Sequence, residues 1–292
     1  MPTVPLIVAK ERHTGSTWFT MMLQLIPNAT IRKEYIPEWQ GNTGTLSLSE
    51  LSSQMHSGLR CEGVGLQVCG YTMEPLNRTG REGLHWDILG TRIADTFGDA
   101  LRAVQLQVPA VKVIFLHRSN LVKSALARAY IALRPSHNES MRHVGVQRVV
   151  EEALVRDRIG SGFLELRRTL KAFEKQSLVV YYEDLQADPA RAMNSLLGFL
   201  GVVAPPSVDW GSATDAYKKS KEDLSQVLVN FAEFETAFSE GGKFASSCLL
   251  EMLRATAPRT FEPCPSAWVD ETMARLLKAP CLHAWQHTEC YR

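Results

Sequence analysis

No stretch of the 292-residue sequence is long and apolar enough to span a membrane. Ahead of Lys10 the only apolar run is "VPLIVA", too short for the core of a signal peptide, so a cytoplasmic chain is expected. Long runs of one charge sign are missing too. With 32 basic and 31 acidic residues the net charge is +1, which argues against a nucleic-acid binder working through bulk charge and confines any anion site to a local cluster. There is no internal repeat. Cysteine is sparse at six residues, but Cys248, Cys264, Cys281 and Cys290 crowd the end of the chain, where one or two disulfides would fit an oxidising compartment. Sequons at Asn28, Asn77 and Asn138 point the same way, so a lumenal or secreted fragment is the alternative to the cytoplasm.

What is present is an alternation of short apolar runs with helical periodicities. Leu6–Ala9, Val64–Tyr71, Val111–Leu116 and Leu178–Tyr182 read as buried strands, which predicts an α/β fold around a central, mostly parallel sheet flanked by helices. A helix is expected from Thr17 to Leu25, ended by Pro27 and Asn28, and another from Asn120. Ile159, Phe163, Leu166, Leu170 and Phe173 form one face of a long helix within Val149–Phe173. Leu224, Leu228, Phe231, Phe234 or Glu235, and Phe238 form another, preceded by Ser220 and Asp223 at capping-box spacing. Gly41 to Gly58 reads as a long exposed loop.

Between the first strand and the first helix lies "KERHTGSTWF", Lys10 to Phe19. A glycine turn there aims several backbone N–H groups and the positive end of a helix dipole at one point on the sheet's carboxyl edge, which attracts phosphate or sulfate. Ser16 and Thr17 add hydroxyl donors, and Arg12 and His13 add side chains that could neutralise charge on a leaving oxygen. An N-capped helix without a ligand would use the same residues. The loop lacks the lysine that follows the last glycine of a Walker A motif.

Three segments, taken together, resemble the sulfotransferase family. "RHTGSTWF" is similar to its 5′-phosphosulfate loop, "VKVIFLHRSNLVKSALARA" to its 3′-phosphate strand and helix, and "VVYYEDLQADPARAMNSLLGFLGV" to its strand and helix signature, in the family's order. The resemblance spans most of residues 4–240 and implies a P-loop-like three-layer fold. It implies a sulfotransferase domain over 1–240, with 241–292 a cysteine- and tryptophan-containing extension packed on the same domain. The implied donor is 3′-phosphoadenosine 5′-phosphosulfate (PAPS), with adenosine 3′,5′-bisphosphate as product and no metal required. The sulfuryl group would pass in line to a hydroxyl or amine of a small-molecule or carbohydrate acceptor.

By the same resemblance Thr14, Gly15, Ser16, Thr17 and Trp18 belong to the phosphosulfate loop, and Arg118 pairs with the 3′-phosphate as a bidentate guanidinium. Two positions depart from the family. His13 stands where a lysine or arginine is usual, with Arg12 one residue earlier, and either could donate to the leaving phosphate. The serine usual after the 3′-phosphate arginine is absent, and Ser124, one helical turn away, could replace it. "DAYKKSKEDLSQVLVN" resembles the family's late cofactor-covering segment and brings in Lys218, Lys219 and Lys221. These sit at an expected helix start, where cations are disfavoured unless an anion is bound, or else form a solvated charged turn.

For the base, Glu34 in "RKEYIPEW" is similar to a glutamate of bacterial trehalose sulfotransferases, with Glu74 and His85 as rivals. Trp18, Tyr35, Trp39 and Trp86 could line an acceptor pocket or belong to the core. Cys281, His283, His287 and Cys290 fit no standard zinc spacing. A nucleotide kinase is disfavoured by the missing Walker lysine and by the lack of an evident magnesium-holding aspartate. A non-catalytic nucleotide- or partner-binding member of the same fold is the other alternative.

Overall fold

The computed structural model describes residues 3–11, 14–32, 66–73, 98–132, 144–203, 208–212 and 223–277, together with 53, 55, 56 and 59. The chain divides into two compact units, which it visits alternately. The first is drawn from Met1–Arg78, Ile88–His117 and Gly162–Lys218, the second from Thr79–Asp87, Arg118–Ser161 and Lys219–Arg292.

The first unit is built on a five-stranded sheet of order β2-β3-β1-β4-β5. Its strands are β1 (Val4–Lys10), β2 (Ala29–Arg32), β3 (Val68–Met73), β4 (Lys112–His117) and β5 (Ser177–Tyr181). All four neighbouring pairs are parallel. Side chains alternate across a strand, and here both sets are covered: Leu6, Ile7, Val8 and Ala9 of β1 are all 0% exposed. That explains why the strands read as unbroken apolar runs. On one face, Phe19, Met22 and Leu23 of α1 (Ser16–Gln24) pack with Leu6, Val8, Ile114 and Leu116. Burying a side chain such as Phe19 contributes on the order of 1.5–3 kcal/mol. On the other face Phe115 meets Phe163 at a centroid distance of 5.6 Å. A helix over 98–107, α2, is tied in by the Gln105 amide, which donates to the Ala172 carbonyl at 3.1 Å. The result is helices on both sides of a parallel sheet, the three-layer arrangement the sequence implies.

The second unit contains α3 (Leu121–Ala132), Val146–Ser161 of α4 (Val146–Thr169), a 3₁₀ turn (Leu224–Gln226), α8 (Phe231–Phe238), α9 (Ser247–Arg254) and α10 (Ser266–Leu277). Leu121, Val122 and Ala125 of α3 share one core with Leu154, Phe234, Phe238, Leu249 and Met252. A disulfide joins Cys248 to Cys264 with the Cα atoms 5.7 Å apart, and Cys69 in the first unit is disulfide-bonded as well. Among the described residues, no helix is long and apolar enough to cross a membrane.

Several elements differ from the sequence expectation, each for a local reason. The edge strand β2 was not anticipated, because only four residues follow the Pro27–Asn28 turn and they pair with β3 alone. The expected long helix breaks at Leu170, whose backbone (φ −84°, ψ 76°) separates α4 from α5 (Lys171–Glu174). The expected helix over Leu224–Phe238 is two pieces. Asn230 interrupts it, its side-chain amide donating to the Val144 carbonyl at 3.1 Å and to the Glu233 carboxylate at 2.8 Å. Asp223 caps the first piece, and the Ser225 hydroxyl above all holds its carboxyl below the usual range. Within Gly41–Gly58, Met55 is buried rather than exposed, its carbonyl accepting from the Tyr71 hydroxyl at 2.7 Å.

Tyr182, read as the end of a strand, instead opens α6 (Tyr182–Ala187), and α7 (Pro189–Leu200) follows. The start of α7 is written in "DPAR": Asp188 accepts from the Arg191 N–H at 2.9 Å, and Pro189 needs no donor partner in the first turn. Gly201 in the left-handed region (φ 72°) ends the helix. Asp188→Ala is expected to lower stability by about 1 kcal/mol, and Asp188→Asn by much less, in urea denaturation. Equal losses for the two would show that the cap does not hold this helix end.

Candidate functional site

In open parallel sheets, ligands bind beyond the carboxyl ends of the strands, where the strand order reverses. Here that place is β1, flanked by β3 on one side and β4 on the other. The segment leaving β1 is buried, Lys10 at 1% and Glu11 at 4% exposure. The Thr14 hydroxyl donates to the Glu11 carbonyl at 2.9 Å and closes the turn. Gly15 then takes the left-handed conformation (φ 79°, ψ 19°). Its carbonyl accepts the first helical hydrogen bond, from the Phe19 N–H at 3.0 Å. The N–H groups of Gly15, Ser16, Thr17 and Trp18 therefore lie outside the helical ladder. No described side chain caps them, and the first turn of α1 holds no acidic residue. Such a terminus presents donors and positive potential to an anion.

Tyr182 forms the floor of this turn. A methyl group placed on Gly15 would fall inside contact distance of Tyr182 Cε2 and Cδ2, so the backbone lies directly on the ring. Trp18 meets the same ring edge-on, with centroids 5.3 Å apart and planes at 80°. The Tyr182 hydroxyl accepts from the Gln186 amide at 3.1 Å, which holds the ring in place. Trp18 Nε1 is buried without a hydrogen-bond partner among the described residues.

A buried pair lies beside the turn. Lys10 is in register with Leu116, which sets Glu11 beside His117 at the ends of adjacent strands. Glu11 Oε1 is 3.4 Å from His117 Nδ1, with side chains 3% and 12% exposed. The Tyr181 ring approaches the imidazole at 5.8 Å.

In the second unit the chain resumes with Arg118, 9% exposed, and runs straight into α3. Asn120 caps this helix, its Oδ1 accepting from the Lys123 N–H at 2.9 Å. Ser124 is 1% exposed, and its hydroxyl oxygen has no hydrogen-bond partner among the described residues. Buried hydroxyls are normally satisfied, so Ser124 has unused donor capacity.

Of the sequence-derived candidates, Thr14, Gly15, Ser16, Thr17 and Trp18 lie together on the one turn, and Arg118 and Ser124 begin α3. Arg12, His13, Glu34, Tyr35, Trp39, Glu74, His85, Trp86, Lys218, Lys219 and Lys221 lie outside the described residues, as do Cys281, His283, His287 and Cys290. Glu11, His117 and Tyr182 were not singled out in the sequence. Charged residues closing two apolar strands were the available signal for the first pair; nothing local distinguishes Tyr182 from its neighbour Tyr181.

A sulfotransferase family model matches residues 93–206, a segment that includes Arg118, Ser124 and Tyr182. That segment is similar to the sulfotransferase family. No match exists among curated proteins. Solved structures similar to the chain include a sulfotransferase from Alicyclobacillus acidocaldarius at 17% identity, covering 92% of this chain and 99% of that one with a TM-score of 0.43. A mouse sulfotransferase complexed with PAP is 14% identical, covering 97% and 88% with a TM-score of 0.44. A Mycobacterium avium sulfotransferase is 12% identical, covering 95% and 77% with a TM-score of 0.38. The likeness to sulfotransferases rests on the match over 93–206, and the fold on the sheet order and strand direction.

Proposed function

We propose that this sulfotransferase domain is catalytic, and that it takes PAPS as donor and a small-molecule or carbohydrate hydroxyl or amine as acceptor. The observation that carries the proposal is the Gly15 turn: a left-handed glycine pressed on Tyr182, opening an uncapped, acid-free helix start. Within the second unit, the buried Ser124 hydroxyl, without a hydrogen-bond partner among the described residues, is compatible with the same reading.

When bound, PAPS supplies an activated sulfuryl group, transferred in line with charge building on the departing phosphate. The first-turn N–H groups of α1 and the hydroxyls of Ser16 and Thr17 bind and orient the phosphate oxygens. Arg118 would hold the 3′-phosphate, with the Ser124 hydroxyl as a further donor. Arg12 or His13 donates to the leaving oxygen, Lys219 and Lys221 add positive charge, and Glu34 removes the acceptor proton. If His13 is the donor, the rate falls as pH rises past its pKa, and His13→Arg flattens that limb; if Arg12 is the donor, the limb is absent.

Disulfide bonds at Cys248, Cys264 and Cys69 favour the lumenal or secreted alternative over the cytoplasm. Calorimetric titration with adenosine 3′,5′-bisphosphate, beside ATP with Mg²⁺, tests the donor assignment. Saturable binding of the bisphosphate alone is expected, followed by transfer of labelled sulfate from PAPS to members of an acceptor panel. Binding of ATP instead would indicate a kinase, and binding without any transfer would indicate a non-catalytic family member.

A further inference from the structure

The turn that begins α3 is held from outside by one short piece of chain. Three side chains in succession reach into it: Ser119 Oγ accepts from the Phe261 N–H at 3.0 Å, Asn120 Nδ2 donates to the Met252 carbonyl at 2.9 Å, and Lys123 Nζ donates to the Ala255 carbonyl at 3.3 Å. Ser119, Asn120 and Lys123 are 4%, 1% and 7% exposed, so water cannot readily replace these partners. All three contact atoms, on Met252, Ala255 and Phe261, fall inside the ring that the Cys248–Cys264 disulfide closes. The first part of that ring is α9, with the Ser246 hydroxyl accepting from the Leu249 N–H at 3.2 Å. The rest, 255–264, has no regular secondary structure and carries Pro258 and Pro263. It is fastened by Arg259, which lies 4.6 Å from the centre of the Phe261 ring and pairs with Glu251 at 2.5 Å.

We propose that the ring closed by Cys248 and Cys264 is a positioning brace for the 3′-phosphate turn, so that nucleotide recognition by this chain depends on the disulfide. The inference rests on the donor reading above. The Asn120 amide shows how the brace works: with Nδ2 held by Met252, Oδ1 is the atom facing the Lys123 N–H, and the helix start that carries Arg118 and Ser124 on either side is fixed in orientation. Opening the ring frees 255–264, a segment whose own backbone ladder cannot keep Phe261 and Ala255 in place. Arg118 and Ser124 remain, but a misplacement near 1 Å costs a bidentate site roughly 10- to 100-fold in function. Reduction by a dithiol is a balanced exchange. The dithiol's thiolate attacks one sulfur, the mixed disulfide resolves to a cyclic oxidised dithiol, and Cys248 and Cys264 leave as thiols.

The test measures the ratio of affinities for adenosine 3′,5′-bisphosphate and 5′-AMP, which differ only in the 3′-phosphate. It is read in the oxidised native chain, in the Cys248→Ala/Cys264→Ala variant, which leaves Cys69 untouched, and in Ser119→Ala with the disulfide intact. The ratio is expected to be large in the oxidised chain and to fall roughly 10- to 100-fold in both variants with 5′-AMP binding retained, and Ser119→Thr is expected to restore it. If the oxidised chain itself shows no preference for the bisphosphate, the donor reading fails and takes the brace with it. If the preference is present but unchanged in the variants, the brace alone is overturned. Should the double variant fail to fold, Ser119→Ala decides: an unchanged ratio overturns the proposal, and a lost ratio with native circular dichroism sustains it.

Discussion

Arg118→Ala is expected to weaken binding of adenosine 3′,5′-bisphosphate by about two orders of magnitude while leaving 5′-AMP binding near its native level. Truncating one partner of a buried, hydrogen-bonded charge pair costs roughly 2–5 kcal/mol, and each ~1.4 kcal/mol is tenfold in affinity. Arg118 meets the conditions for a loss within that range. It is 9% exposed, and it follows β4 immediately, where the strand fixes its backbone. Arg118→Lys tests geometry against charge, because lysine returns the charge without the fork and should recover only part of the loss. Calorimetry on the three proteins reads the outcome directly. A uniform loss for both nucleotides would mean that Arg118 supports the second unit's structure and does not read the 3′-phosphate.

Gly15→Ala is the second large effect. Two costs meet at this position. An L-residue at φ 79° loses about 1–2 kcal/mol to its own backbone, and the added methyl collides with the Tyr182 ring, for which overpacking in a filled site adds about 1–3 kcal/mol. The expected result is a destabilisation of about 2–5 kcal/mol in urea denaturation together with loss of bisphosphate binding. A double-mutant cycle with Tyr182→Ala separates the two costs: the ring-dependent part is relieved and the backbone part stays. Strict additivity would show that the ring does not gauge the loop.

How much of this was legible in the sequence depended on whether a residue's role is local. Gly15, Ser16 and Thr17 could be read because a glycine turn between a strand and a helix start lies within a few residues. Arg118 could be read because the strand before it is uniformly apolar and the helix after it periodic. Glu11 and His117 could not, since their meeting depends on the register of β1 against β4, more than a hundred residues apart. Likewise, Asn230 breaks a good helical pattern only because Val144 offers it a carbonyl. The disulfide pairing was also out of reach, as four nearby cysteines admit several connectivities and only the packing of α9 against the following segment selects Cys264 for Cys248.

The Tyr182 floor under Gly15 carries a consequence for biosynthesis. More than half of the chain separates the two residues, so the N-terminal turn leaves the ribosome long before the surface it rests on exists. At ~5–20 residues per second the delay is on the order of ten to thirty seconds. Until β3 and then β4 follow, β1 is an unpaired, largely apolar strand open to chaperones or to other nascent chains, and the Tyr182 ring comes later still. Yield in the cell should therefore respond to synonymous changes that alter translation speed between β1 and β5, with no change in the amino-acid sequence at all.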